Sequence, residues 1–288
     1  MTCAENCDRP VHARGLCRGC YDKERRGGGG DSGYRGLSVA PERPEIPVFY
    51  RDYSHLDKLH LYPLGDIHKG AASHQATRWR EWLSYLVGTP HASMLGTGDF
   101  FNAALKDSKS DVYEERMTVG DARRELRDEL EPLATAGRLD GLVDGNHEDR
   151  ITRATGDSPG AVLAEILRVP YAEAAGVWVY TVGDQQYQIF LRHGTGNGQS
   201  LVALYKGDGI LPLADVQITG HTHRQAVVPG DYFVVDGDRV VRRSRYHVSS
   251  GSFLALEKYA QKAGYSPTRV GAPRIRLDGR SRDIHVSV

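Results

Sequence analysis

Five short stretches carry the residues that could do chemistry. In chain order they are Asp66-Ile67-His68, Gly98-Asp99, Gly145-Asn146-His147-Glu148, His193-Gly194 and Gly220-His221-Thr222-His223. Each follows an apolar, β-prone segment. Carboxylate and amide oxygens joined by imidazoles form a donor set suited to divalent cations. Singly, a Gly-Asp is usually a turn and a buried His is usually a core residue. In this order the five point to two cations side by side, with one carboxylate bridging them. Such a pair, about 3.5–4 Å apart, clamps a phosphoryl group and lowers the pKa of a water that attacks in line.

The elements that must position these residues follow from hydrophobic period. Residues 58–64, 92–95 and 139–143 read as strands that end at Asp66, at Gly98-Asp99 and at Asn146-His147. Between the first two lies a helix over 74–87, with Trp79, Trp82, Leu83 and Leu86 on one stripe. A long charged helix is expected over 111–136, with a break at Gly120, and a further helix over 159–167. From Val177 onward the pattern turns to alternation. Strands over 178–182 and 187–191 lead to His193, and 215–218 leads to His221. Residues 232–235, 240–241 and 246–248 read as hairpin strands around a Gly237-Asp238 turn. The tail adds 274–277 and 284–288. Strand–helix alternation followed by hairpins predicts an α/β fold of two sheets packed face to face with helices outside. Every candidate ligand falls at a strand's C-terminal end, where α/β sheets place their sites.

The chain has 288 residues, enough for one large α/β domain and a small attachment, and no net charge. From Arg224 to Val288, however, twelve Lys and Arg stand against six Asp and Glu. That basic quarter suits an anionic substrate or a solvated mixed surface. No apolar run reaches the ~18 residues of a membrane span. The N-terminus lacks the apolar stretch of a secretory signal, so an intracellular, cytoplasmic protein with reduced thiols is expected.

The four cysteines are Cys3, Cys7, Cys17 and Cys20. Two close pairs can face each other around one tetrahedral Zn²⁺, with His12 between them as a replacement ligand or a solvated loop residue. So short a segment cannot bury a core, so the metal must supply its folding energy. Arg14, Arg18, Lys23, Arg25 and Arg26 offer cations to phosphates or to a protein partner. Residues 1–26 are thus read as a zinc finger, 27–47 as a Gly- and Pro-containing flexible linker, and 48–288 as the catalytic domain. Residues 14–26 resemble small zinc fingers at the ends of phage and bacterial DNA-associated proteins.

The order Asp-x-His, Gly-Asp, Gly-Asn-His-Glu, His, Gly-His-x-His resembles the calcineurin-like metallophosphoesterase superfamily, over about residues 58–225. The resemblance implies a four-layer α-β-β-α sandwich beside the small zinc-binding module. It implies that Asp66, His68 and His223 hold one cation and that Asn146, His193 and His221 hold the other, with Asp99 bridging. His147 would face the substrate as an acid that assists the leaving oxygen, and Glu148 would orient a ligand or His147. Mn²⁺ is the expected metal, with Fe, Zn²⁺, Mg²⁺ or Ni²⁺ as alternatives. Serine/threonine phosphatases of the superfamily carry Asp-Arg-Gly after the second station, whereas this chain has Phe100-Phe101-Asn102-Ala103. Residues 251–254 and Tyr259-Ala260 resemble phage-encoded members, which would act in the host cytoplasm.

Asn102 and Arg150 are candidate substrate contacts, although Arg150 could equally pair with Asp149. The glycine-rich 194–198 stretch lacks a P-loop ending and reads as a pocket-shaping loop. Finger, linker and basic quarter favour a phosphodiesterase acting on DNA or RNA. The alternatives are hydrolysis of small nucleotides or phosphomonoesters, and a non-catalytic scaffold in a nucleic-acid complex. Nucleic acid, or a protein met through the finger, is the expected partner.

Overall fold

The computed structural model describes residues 46–106, 112–194, 214–255, 264 and 268–288. The four cysteines, the expected zinc finger, nearly all of the expected linker, residues 195–198 and Tyr259-Ala260 lie outside them. Strand β1 is Val48–Tyr53, β2 Lys58–Leu64, β3 Ala92–Gly96, β4 Leu139–Val143, β5 Tyr171–Ala172 and β6 Ala175–Val182. Next come β7 Gln185–Arg192, β8 Val216–Thr219, β9 Gln225–Asp236, β10 Arg239–Ser250, β11 Arg274–Asp278 and β12 Ile284–Ser287. The helices are α1 Ala76–Gly88, α2 Val119–Thr135, α3 Asn146–Thr155 and α4 Pro159–Leu167.

Two six-stranded sheets form, ordered β1-β6-β7-β8-β10-β9 and β12-β11-β2-β3-β4-β5. Alternation in β2 sends Leu59 and Leu61 inward and Tyr62 and Leu64 outward, because successive side chains point to opposite faces. The inward set meets Ile275 and Leu277 of β11, and Trp178, Tyr180, Ile189, Ile218 and Val248 of the facing sheet. This inter-sheet core confirms the face-to-face packing. The outward set meets Trp79, Leu83 and Leu86 of α1, Leu126, Leu130 and Leu133 of α2, and Leu163 and Leu167 of α4. Three layers, α-β-β, are therefore described. On the far face of the other sheet, Val177, Val179, Phe190 and Ala214 form a small cluster that no described helix covers.

Strands β2, β3, β4 and β5 run parallel, as do β7, β8 and β10. Parallel order brings their C-terminal ends to one edge. Side-chain caps fix the starts of two of the helices between them. Thr118 caps α2 by accepting from the Asp121 amide, and Ser158 caps α4 from the Ala161 amide with Pro159 behind it.

Several elements differ from expectation. Helix α2 starts at Val119 rather than 111 and runs through Gly120, with a short 3₁₀ turn over Val112–Glu114 before it. The β9–β10 hairpin is a 12-residue ladder on each side, far longer than its apolar residues suggest, because its outer half is solvent-exposed and carries arginines. Strand β1, where only the start of the catalytic domain was expected, pairs in parallel with β6. Helix α3 begins on Asn146 itself. No helix among the described residues is long and apolar enough to cross a membrane.

Candidate metal centre

The loops after β2, β3, β4, β7 and β8 meet at one edge and bond to each other. Asp66 N donates to Gly98 O at 2.9 Å and His68 N to Asp99 O at 3.0 Å. Gly220 N donates to His193 O at 2.8 Å, and Phe253 N to Asp66 O at 3.0 Å. Seven non-glycine residues among those described have positive φ: Asp66, His68, Asp99, Ala103, Arg168, His221 and His223. Five of the seven are expected ligands. A left-handed backbone costs an L-residue about 1–3 kcal/mol, so such clustering marks a site where the fold holds strain for function. Two glycines make the approach achievable. A Cβ on Gly98 would lie 2.6 Å from Gly145 N, and one on Gly145 would lie 2.1 Å from Asp99 Oδ1.

Most of the candidate ligand side chains converge. Asp66, His68 and His223 form one group of donors within 4.8 Å of one another, and Asp99, His193 and His221 form a second. Asp99, a member of the second, also faces the first. Its Oδ2 is 3.2 Å from His193 Nε2 and 3.6 Å from His68 Nε2. On the first side, Asp66 Oδ1 is 3.2 Å from His223 Nε2 and 3.9 Å from His68 Nε2. On the second, His221 Nδ1 is 2.7 Å from Asn146 Oδ1. His68 and Asp99 also form a donor group with His147, whose Nε2 is 3.8 Å from Asp99 Oδ2. Asp66, His68, Asp99 and His193 are buried, while Asn146, His221 and His223 are partly open and form the mouth.

Electrostatics state what this cluster requires. Burial would raise the Asp66 carboxyl, but His223, His68 and His193 hold it well below the usual carboxylate range. Burial opposes ionisation of Asp99 too, and His193, His147 and His68 overcome it. Burial pushes His193 down, yet Asp99 and Asp66 raise it to about 10. Two buried carboxylates held in their charged form demand positive charge beside them. The Nε2 atoms of His68 and His193 are buried with no hydrogen-bond partner. Buried polar atoms are normally paired, so both are aimed at something that accepts a lone pair. Donor types, orphaned nitrogens and charge demand together fit divalent cations on the two groups.

Surrounding contacts fix the candidate ligands, as a metal site would require. The Thr97 carbonyl takes His193 Nδ1–H at 2.7 Å and so turns Nε2 toward the centre. Glu148 spans the β3 and β4 loops. Its Oε2 accepts from Asp99 N at 2.9 Å and Gly145 N at 2.7 Å, and its Oε1 from Phe101 N at 3.1 Å. Burial, Asp99 and Asp144 raise its pKa to about 8 against the pull of those donors. Glu148 thus orients the Asp99 loop rather than His147.

His147 sits on the first turn of α3. Its backbone N donates to Asp99 Oδ1 at 2.8 Å, and its Nδ1 donates to the Asn102 carbonyl. Arg150, one turn on, places Nη2 3.0 Å from His147 Nε2. Asp149 lies instead 3.7 Å from Arg153. Burial, His68 and Arg150 push His147 down to about 3, so its imidazole is neutral here. Asn102 is also at the site, but its amide donates to Glu115 Oε2 at 2.8 Å, and its carbonyl holds His147. Thr97 and Glu115 carry no signal in the sequence, since both act through long-range contacts.

No family model and no curated protein matches this sequence. Solved structures that match include a conserved uncharacterized protein of Streptococcus pneumoniae TIGR4, described as a predicted phosphoesterase. It is 12% identical, with a TM-score of 0.35, over 80% of this chain and 88% of that one. Another is the NAD nucleotidase of Haemophilus influenzae, 10% identical, with a TM-score of 0.40, over 80% of this chain and 49% of that one. This chain thus spans about half of the nucleotidase. Likenesses at these scores carry no argument, and the site's meaning rests on its own geometry.

Proposed function

We propose that this chain is a metal-dependent phosphoesterase of the calcineurin-like type, acting on phosphodiester bonds in DNA or RNA. The observation that carries the reading is the Asp99 carboxylate, which belongs to one donor group with His193 and His221 and whose Oδ2 is also 3.6 Å from His68 of the other. Asp66, His68 and His223 would hold one cation, Asn146, His193 and His221 the other, and Asp99 both. Bound there, two divalent cations, Mn²⁺ foremost, supply Lewis-acid charge neutralisation and a water acidic enough to be deprotonated near neutral pH.

The chain's own residues do the rest. Thr97 and Glu148 hold the donors rigid, so little reorganisation is left for the reaction. His147 and Arg150 stand together beside the centre and would meet the substrate's phosphoryl oxygens. The Asn102 carbonyl fixes the His147 ring and keeps Nε2 pointed outward. A proton on that nitrogen, favoured once an anionic substrate sits against it, would pass to the leaving oxygen. At the N-terminus, Cys3, Cys7, Cys17 and Cys20 would hold a structural Zn²⁺, and the tethered finger would raise the local concentration of nucleic acid.

The test compares bis-p-nitrophenyl phosphate with p-nitrophenyl phosphate in Mn²⁺, with Asp99→Asn as the blank. Faster turnover of the diester, lost in Asp99→Asn, is the expected result. Preference for the monoester refutes the diesterase reading. Equal inactivity of both proteins with both esters, together with no metal in the purified protein, refutes the enzyme.

A further inference from the structure

Two cavities lie on the outer face of the sheet that carries β2. The first, about 450 Å³, is lined by Lys58, His60, His91, Arg274 and Arg276, with Leu56 and Asp57 at its rim. The second, about 910 Å³, is lined by the rings of Tyr62, Trp82 and Tyr85 and by Arg78, Arg269 and Arg274. Arg274 lines both, so the two adjoin.

Strand register explains the basic pocket. Arg276 pairs with His60 and Ile275 with Leu61. Paired residues share a face, so the isoleucine enters the inter-sheet core while both arginines and His60 face outward. There the acids are already engaged. Asp57 meets Arg280 at 2.5 Å, Asp283 meets Arg276 Nη2 at 2.6 Å, and Glu81 meets Arg78 at 2.9 Å. His60 Nδ1, Arg274 Nε and Arg276 Nε are buried with no hydrogen-bond partner. Three orphaned nitrogens of cationic or imidazole groups around one cavity are a set of donors for an oxyanion. The histidine senses the same field. Burial, then His91, Arg274, Lys58 and Arg276, push His60 down to about 4.

The adjoining groove has the complementary chemistry. Trp82 stands edge-on to Tyr62 at 5.5 Å and to Tyr85 at 6.2 Å, and Tyr85 is half exposed. Aromatic rings beside arginines take planar bases by stacking without reading sequence. The groove also leads toward the metal centre. Its lining residue Gln225 follows His223 by two positions, and Phe253, which bonds Asp66 O, packs against Trp82. Strand β2 runs from the basic pocket at Lys58 to the centre just past Leu64, roughly 20 Å.

We infer that pocket and groove form one track for single-stranded nucleic acid, with a backbone phosphate at His60, Arg274 and Arg276 and bases against Trp82 and Tyr85. The track names where the polymer lies within the phosphodiesterase reading above, and so rests on it. A free mononucleotide would leave much of the two adjoining cavities unfilled. A duplex would keep its bases stacked away from the rings.

The test measures binding of a fluorescent oligothymidylate to the full chain by anisotropy, without divalent metal, over a range of salt. Arg274→Gln/Arg276→Gln should weaken binding and reduce the slope of log K against log salt by about 1.4, two contacts at ~0.7 each. Arg274→Lys/Arg276→Lys should keep the slope. Tyr85→Ala, on the exposed side of α1, should lose roughly tenfold in affinity. It serves as the second variant should the glutamine pair fail to fold. Affinity and slope unchanged in the glutamine pair, or affinity unchanged in Tyr85→Ala, overturns the inference. Turnover of the chromogenic diester by the wild type is read separately. A protein that binds the strand through these residues and cleaves nothing keeps the track and loses the enzyme.

Discussion

Replacing Glu148 tests whether the candidate metal centre is held by one buried carboxylate. Three backbone N–H groups, of Asp99, Gly145 and Phe101, donate to it across two loops. Glu148→Gln keeps the shape but turns one oxygen into a donor. With its oxygen on the Asp99 and Gly145 amides, the new NH₂ faces the Phe101 N–H. One buried donor is then orphaned, which costs about 1–3 kcal/mol. Loss of the charge costs little, because burial, Asp99 and Asp144 already raise this carboxyl to about 8. In a domain of this size that is a fall in Tm of roughly 2–12 °C. Glu148→Ala orphans all three amides, about 3–9 kcal/mol, comparable with the whole stability of a domain. Thermal melts of the metal-free proteins should rank wild type, Gln, Ala. Calorimetric titration with Mn²⁺ should show about 10–100-fold weaker binding for Gln, because the Asp99 loop loosens. If Glu148→Ala melts with the wild type and binds Mn²⁺ equally well, these three bonds do not hold the centre and the reasoning fails.

Two further outcomes follow from the same geometry. Gly145→Ala puts a Cβ 2.1 Å from Asp99 Oδ1 and must displace the carboxylate between the two donor groups. Since a shift of 1 Å costs about 100-fold in rate, diester hydrolysis should fall by at least that much, and wild-type turnover would refute the placement. His60 has a folded pKa of about 4, below its ordinary 6.5. For a histidine depressed on folding, the neutral form is the stable one. Its contribution is present above pH 6.5 and is lost as pH falls through 4. Glutamine at 60 should flatten the stability–pH curve across that window, read by melts at each pH. An unchanged curve would show that His60 does not titrate there.

Leu59 and Leu61 alternate with His60 and Tyr62, and the two-residue period alone separates the face packed between the sheets from the outer, helix-bearing face along β2. Asp66, Asp99 and Asn146 each follow an apolar run, and parallel order alone brings strand ends together. The donor types and their edge of the sheet were therefore legible. Helix α3 was not, because Asn146 to Thr155 is polar and short of apolar stripe, and its start is set by Gly145 and Glu148. Strand β1 was not, because Val48 and Tyr50 are exposed and the strand exists through its ladder to β6.

What the sequence determined by itself is the chemistry on offer: which side chains can hold a cation, and that each stands at a strand's end. What only the tertiary structure decided is which atoms face which. Asn102 bonds Glu115 and so presents its carbonyl to His147, the Thr97 carbonyl turns His193, and Glu148 ties two loops that lie 49 positions apart. The physical reason is range. Local period fixes the face on which a side chain leaves the backbone, whereas a hydrogen bond between distant loops exists only after the sheets have closed around it.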